Sequence, residues 1–272
     1  MSYENVVVPL DLGASSIARL KLAAGLAVRF DARLTGIAAR EASRPYGHGK
    51  GGLITSKMID SERHHTIFEL SRVEAMFRKE TENLERAEYY SAAMGPQAFL
   101  IEQTRTADLV VCNRPYDGTI DAWFSDLSPG TLLMRLGCPL LIAPLGLDAV
   151  AGRRIVVAWK DTREARRAVR DSQPFLRKAE AVFFVVVGPD TEADSAKDIT
   201  ASLTQKGVCC KIVAISKGRL RVSAEILKLA ADEGADLLVT GAYGHARLHE
   251  FIYGSVTRDL LDTSPISCLM AH

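Results

Sequence analysis

Apolar positions along the chain fall into short β-branched runs, separated by longer stretches with helical spacing. Val6–Leu10 is such a run; it closes at Asp11 and is followed by Gly13, Ala14 and Ser15. From Ile17 to Phe30 the apolar residues recur three and four apart, with Ile17, Leu20, Ala24 and Ala27 on one side, the period of an amphipathic helix. Ala32–Ala38 returns to a strand pattern, so the chain opens as strand, turn, helix, strand, the seed of a parallel sheet. Ser43–Ser56 is dense in glycine and basic residues (Arg44, His48, Lys50) and reads as a loop. The spacing then predicts a long helix over Ser61–Arg86, with Ile67, Leu70, Val73, Phe77 and Leu84 turned inward. A strand over Ala87–Ala92, a short helix over Gln97–Thr106 and a strand over Asp108–Cys112 follow. Ser128-Pro129 supplies an N-cap and a first-turn proline for a helix reaching Leu136, and Leu140–Ala143 is a further strand.

After Pro144–Gly152 the pattern starts again. Ile155–Trp159 repeats the first strand, Thr162–Leu176 the first helix and Ala181–Val187 the second strand. Asp194–Lys206 reads as a helix, Lys211–Ile215 as a strand and Ser223–Glu233 as a helix with Ile226, Leu227 and Ala230 on one face. Leu237–Thr240 is a strand, Ser255–Asp262 a helix and Ile266–Met270 the final strand. Ala235-Asp236-Leu237-Leu238-Val239 echoes Ala107-Asp108-Leu109-Val110-Val111. The chain is therefore an internal duplication, expected as α/β domains over 1–146 and 153–272. Each reads as a doubly wound, mainly parallel sheet of about five strands flanked by helices. In such sheets ligands bind outside the carboxyl ends of the strands, where the strand order reverses. Chemistry is thus expected just after the first and fourth strands of each half.

Composition narrows the classes. Lys+Arg number 34 against 33 Asp+Glu, a net charge of +1, so bulk charge supports no nucleic-acid partner and any anion site must be local. The start, MSYENVVVPLD, has no signal-peptide pattern, and no apolar run reaches the roughly 18 residues of a membrane span; the expectation is a cytoplasmic protein without a membrane partner. The five cysteines form no CxxC pair, which argues against a disulfide framework or a zinc ribbon. Cys209-Cys210 adjoins an apolar run and reads as buried strand thiols. His64-His65 are adjacent on a helix, cannot share a face and read as solvated. Glu80–Glu88 reads as a solvated helix face. No nucleophile–base arrangement or metal set emerges from spacing.

One loop stands out. Gly241-Ala-Tyr-Gly244 opens it, and after nine further residues Gly254-Ser255 closes it, between a strand end and a helix start. Gly241 and Gly244 are expected to take positive φ and let backbone N–H groups approach an oxyanion. Gly254 and Ser255 fall at a helix N-terminus, which favours negative charge, and Ser255 and Thr257 add hydroxyls. His245, Arg247 and His249 outweigh Glu250. A bland reading stays open, in which the glycines serve loop geometry alone.

The Gly-x2-Gly-x9-Gly-Ser spacing, with Ala235–Val239 before it and Ser255-Val256-Thr257 after it, resembles the ATP-binding motif of the universal stress protein family, and the duplication resembles its tandem form. The resemblance implies a Rossmann-like, adenine-nucleotide alpha-hydrolase-like fold. It also implies an adenine nucleotide such as ATP, with or without Mg, as ligand and a role in stress response and signalling. Gly241 and Gly244 would then face ribose and phosphates, Gly254, Ser255, Val256 and Thr257 would bind phosphates, and Thr240 and Tyr243 would lie beside them. Ala158, Trp159, Lys160 and Asp161 would meet the adenosine end, and the backbone at Val187 the adenine. The family pattern places an Asp at the end of the first strand. Here Lys160 stands at that place, and a one-residue bulge would be needed to bring Asp161 into it. The first half keeps Asp11 there, yet its loop, Asn113–Ser128, lacks the paired glycines and carries Pro115, Asp117, Asp121 and Asp126 against Arg114. It reads as a degenerate copy, with Trp123-Phe124 in a packing role. The resemblance further implies pairing through the last strand, within the chain as a pseudo-dimer and, by extension, in a homodimer. With no general base in view, at most slow ATP hydrolysis is expected; an ATPase or nucleotidyl-transfer enzyme and a ligand-free interaction module are the alternatives.

Overall fold

A computed structural model describes residues 2–42, 55–114, 129–188, 190–216, 218, 220–244 and 255–272. Among the described residues each half contributes five strands. The first holds β1 (Asn5–Pro9), β2 (Arg33–Ala39), β3 (Ala87–Ala92), β4 (Leu109–Asn113) and β5 (Leu140–Ala143). The second holds β6 (Arg154–Ala158), β7 (Ala181–Val187), β8 (Cys210–Ile215), β9 (Leu237–Gly241) and β10 (Ser267–Ala271). They join in one ten-stranded sheet of order β3-β2-β1-β4-β5-β10-β9-β6-β7-β8. Every neighbouring pair is parallel except β5–β10, where Cys268, Leu269 and Met270 face Ile142, Leu141 and Leu140 in antiparallel register. The last strands of the two halves therefore pair as the tandem resemblance implied. Because the seam is antiparallel, the carboxyl ends of β1–β5 and those of β6–β10 lie on opposite edges of the sheet.

Strand residues alternate between two cores. Val6, Val8, Ile155 and Val157 pack beneath α1 (Ser16–Phe30), α2 (Ser56–Glu80), α5 (Arg163–Asp171), α6 (Gln173–Leu176) and α7 (Asp190–Thr204). Val7, Val110, Val156 and Leu238 pack beneath α3 (Pro96–Gln103), α4 (Pro129–Arg135), α8 (Val222–Asp232) and α9 (Ser255–Thr263). Burial on both faces is what the continuous apolar runs demand. The echoed Ala-Asp-Leu segments have a shared task. Asp108 Oδ2 accepts the N–H groups of Glu4 (2.8 Å) and Asn5 (3.0 Å) at the start of β1, and Asp236 accepts those of Arg153 and Arg154 (both 3.2 Å) at the start of β6.

Some expected elements differ. The long helix runs earlier, over α2, and stops at Thr81, whose N–H (3.0 Å) and hydroxyl (2.8 Å) both donate to Phe77 O. Glu82, Glu85 and Glu88 thus leave the helix for a turn and β3. On α2, Ile67 faces solvent while Thr66, Glu69, Leu70, Val73 and Phe77 are buried; Arg40 pairs with Glu69 and makes its burial tolerable. The expected helix Thr162–Leu176 is divided at Ser172, because Pro174 has no N–H with which to continue it. His64 and His65 are exposed, as expected.

Cys209 and Cys210 are not buried as a pair: Cys209 is exposed and Cys210 half-buried, because β8 is an outer strand of the sheet. Cys112, Cys138 and Cys268 are buried. Burial pushes Cys112 and Cys138 up to about 12 and Cys268 up to about 11, against a smaller opposing effect of nearby groups in each case. At pH 8 a thiol-alkylating reagent is therefore expected to modify Cys209 rapidly and to reach Cys112, Cys138 and Cys268 only on unfolding. Peptide mass spectrometry over a time course checks this; equal rates at Cys209 and Cys112 would refute it.

Candidate nucleotide site in the second half

β6 and β9 lie side by side, with Ala158 opposite Thr240, while the chain after each strand goes its separate way. This is the point where strand order reverses, and α5 begins directly above it. Thr162 caps α5, its Oγ1 accepting the Ala165 N–H at 3.2 Å. Gly241 explains how α5 comes so close. A Cβ on it would lie 2.4 Å from Ala165 N and 2.6 Å from Glu164 C, so no other residue fits without displacing the helix. Gly244 likewise lies against α5: a Cβ there would meet Glu164 Oε2 at 2.9 Å and Thr162 Oγ1 at 3.5 Å.

The two glycines thus serve close approach, and the expectation of positive φ at them is corrected. Neither adopts it; the left-handed residue between them is Tyr243, with φ of 60°. A tyrosine held there is locally strained, and such strain gathers at functional sites. Thr257, buried in the first turns of α9, accepts the Tyr243 N–H at 3.5 Å. The start of the loop, Gly241–Gly244, is in this way tied to its end at Ser255–Thr257. Val256 packs half-buried against the core beside them. His245, Arg247, His249, Glu250 and Gly254 lie outside the described residues.

The other expected residues divide. The Thr240 hydroxyl donates to Gly241 O at 3.0 Å, and Ala158 and Val187 stand half-buried at the ends of β6 and β7. The Trp159 indole is turned into the core, where it packs on Phe184 and donates from Nε1 to Ser195 Oγ at 2.9 Å, so only its backbone remains for a ligand. No bulge brings Asp161 into the acid's place. Leu10 N–H donates to Ile37 O at 2.7 Å and Trp159 N–H to Val185 O at 2.9 Å at matching points of the register, so Lys160 stands where Asp11 stands in the first half. Asp161 is exposed and held by Arg166, Oδ1 to Nη2 at 2.6 Å.

Sequence reasoning passed over Glu164. It is buried, 7% exposed, with Oε1 at 3.2 Å from Arg163 Nη2 and Oε2 over Gly244. Burial raises its pKa, but its own backbone N–H, Arg163 and the Thr162 hydroxyl together outweigh that and hold the carboxyl below its ordinary range. An acid in a helix's first turn is ordinary on dipole grounds, which is why it carried no signal.

In the first half the corresponding crevice is filled. Asn113 holds the register position of Gly241, since Val6 pairs with Leu109 as Ile155 pairs with Leu237. Buried Arg19 donates to Asn113 Oδ1 (2.8 Å) and Pro9 O (2.7 Å) and lies 3.4 Å from buried Asp11, which also accepts the Gly13 N–H at 3.0 Å. Arg114 reaches across the seam to Asp262 O at 3.3 Å. Residues 115–128, with Pro115, the three aspartates and Trp123-Phe124, lie outside the described residues. Among the described residues no group of three or more His, Cys, Asp or Glu could hold a metal, and no helix is long and apolar enough to cross a membrane.

Fold and crevice together define a tandem doubly wound α/β protein with a glycine-lined, helix-capped crevice in its second half. The universal stress protein family model matches residues 152–272, which identifies the second half as a universal stress protein domain. A universal stress protein from Archaeoglobus fulgidus DSM 4304 superposes with a TM-score of 0.71 at 14% identity, covering 98% of this chain and 97% of its own. A Pseudomonas aeruginosa UCBPP-PA14 protein, described as a candidate universal stress protein, gives 0.59 at 15% identity, covering 99% and 93%. These likenesses concern the fold. A universal stress protein in complex with cAMP is also similar, at 21% identity over 52% of this chain and 97% of its own, with a TM-score of 0.37. None of the curated proteins compared with the chain matches it in sequence.

Proposed function

We propose that the second half binds ATP or a related adenine nucleotide outside the carboxyl ends of β6 and β9, as a switch in a cytoplasmic stress response. The observation that carries this reading is the pair Gly241 and Gly244 laid against the capped first turn of α5. There the two glycines let the loop lie tight beneath α5, and the N-terminal end of that helix favours an anion. The family match to 152–272 supports it. The domain limits 1–146 and 153–272 go with the reading, as does a stoichiometry of one nucleotide per chain, because Arg19, Asp11 and Asn113 fill the first half's crevice. Lys160, in the acid's place, offers a phosphate a cation. Turnover, if any, is slow, and homodimers of whole chains are compatible with the outer strands β3 and β8.

The test is to release and identify any small molecule carried by the purified protein, and then to titrate ATP into wild type and Gly244→Asp. Saturable binding by wild type, weakened at least roughly tenfold by the second carboxylate placed beside Glu164, is expected. No binding at millimolar ATP defeats the reading, and unchanged binding by the variant moves the site elsewhere.

A further inference from the structure

We propose that a cavity formed between the two halves binds a small α-amino acid, with Asp108 of the first half receiving its ammonium group and Arg170 of the second half its carboxylate. The cavity has a volume of about 220 Å3. Its first-half wall is built from residues that lead into strands: Tyr3 before β1, Asp108 before β4 and Cys138 before β5. Its second-half wall is the last part of α5, with Arg167, Arg170 and Asp171. Pro139 and Pro174 add apolar surface. Places where two domains meet are common sites for small ligands, and this one has room for a molecule about the size of serine.

The charges of the ligand follow from groups that the fold leaves open. Asp108 caps β1 with Oδ2 alone, which accepts the N–H groups of Glu4 and Asn5. Among the described residues its Oδ1 meets no hydrogen-bond donor, and no lysine or arginine pairs with it. The second half supplies the comparison. Asp236 performs the same capping, spends both oxygens on the N–H groups of Arg153 and Arg154, and lies close enough to Arg29 to oppose the lowering of that guanidinium's pKa by burial. One capping carboxylate thus has a cation from the chain itself, and the other opens on a cavity. The arginines divide in the same way. Arg167 is consumed by Gly137 O (2.5 Å) and His272 O (2.7 Å), whereas Arg170 gives only Nε to Asp171 Oδ1 (3.2 Å), and its Nη1 and Nη2 donate to no described residue. A simple anion brought to Arg170 would meet the field of two carboxylates. That field acts on the neutral groups of the wall: burial, then Asp171 and Asp108, raise the Tyr3 hydroxyl well above its ordinary range, and burial, then Asp108 and Asp171, push the Cys138 thiol up to about 12. A simple cation brought to Asp108 would leave Arg170 unanswered. An ammonium and a carboxylate in one small molecule satisfy both walls.

Calorimetric titration of the full chain with L-serine, 3-hydroxypropionate and ethanolamine tests this in wild type, Asp108→Asn and Arg170→Gln, each checked for folding by circular dichroism. The asparagine keeps a carbonyl oxygen for the Glu4 and Asn5 N–H groups, and the Arg170 side chain is mostly exposed, so both variants are expected to fold; Arg170→Gln decides the matter alone if Asp108→Asn does not. Wild type should bind L-serine saturably, and roughly tenfold or more tightly than either analogue, each of which lacks one of its charges. Each variant should lose roughly tenfold or more in affinity for L-serine. The losses should be selective: Asp108→Asn removes the preference over 3-hydroxypropionate, and Arg170→Gln the preference over ethanolamine. Because the ligand touches both halves, saturating L-serine should raise the urea midpoint of wild type and leave that of Arg170→Gln unmoved. Absence of L-serine binding by wild type overturns the proposal. So does ethanolamine binding as tightly as L-serine, or full affinity for L-serine retained in either variant.

Discussion

Replacing Phe175 with alanine is expected to lower the stability of the fold by about 3–5 kcal/mol. Phe175 has no exposed surface and lies where the two halves meet. Its ring stands 4.9 Å from that of Phe30, at the end of α1, and 5.9 Å from that of Tyr3, both edge-on. The Arg29 guanidinium lies 5.4 Å from the ring, and Gly152 is packed so tightly against it that a Cβ would come within 2.9 Å. The Tyr3 hydroxyl closes the cluster by donating to Asp171 O at 2.7 Å. Rigid neighbours from both halves cannot collapse into the space a phenylalanine leaves, so the cavity penalty adds to the lost transfer energy. Urea unfolding of Phe175→Ala beside Phe68→Ala measures it. Phe68 is 62% exposed, and its loss should stay within about 0.5 kcal/mol. A cost below about 1 kcal/mol at Phe175 would show that the junction is not packed as described.

The second large effect lies in the filled crevice of the first half. Arg19→Leu is expected to cost about 3–5 kcal/mol, because it leaves the Asp11 carboxylate buried without its cation. Asp11 is 2% exposed and Arg19 5%, so water cannot replace the lost partner. The leucine also strips donors from Pro9 O and Asn113 Oδ1. Adding Asp11→Asn to Arg19→Leu should recover part of the loss, since the amide carries no charge and still accepts the Gly13 N–H. Urea midpoints of the single and double variants decide the matter. If the double variant is no more stable than the single, the arginine is not there to compensate that charge.

These two clusters mark the boundary of what the sequence reveals. Strands were legible because burial on both faces demands unbroken apolar runs, and Val6–Leu10 or Ala181–Val187 satisfy nothing else. The duplication was legible because Asp108 and Asp236 perform the same strand-capping bond, which preserves the residues around them. The placement of charged and polar side chains was not legible. Arg19, Glu69 and Glu164 have the look of solvated helix positions, and their burial is decided by Asn113, Arg40 and Gly244, which are distant in the chain. Periodicity also misjudged Cys209-Cys210, because a strand's place in the sheet order, here the outer edge, leaves no trace in its own residues. At the glycine loop the residue type was read correctly and its reason was not: Gly241 is small for the sake of α5, and the unusual backbone falls to Tyr243.

The antiparallel seam has a consequence for taking the molecule apart. β5 and β10 are fully buried, Leu140–Ala143 against Ser267–Ala271, and each covers the open flank of the other half. Either half produced alone would present a row of unpaired backbone groups framed by leucine, isoleucine or methionine, the profile of a strand that recruits another chain. Its simplest partner is a second molecule of itself, joined across the same register about a true twofold axis. Severed halves should therefore be recovered as twin assemblies or precipitates, and mixing them during refolding should favour the mixed pair, which alone also rebuilds the Tyr3–Phe30–Phe175 cluster.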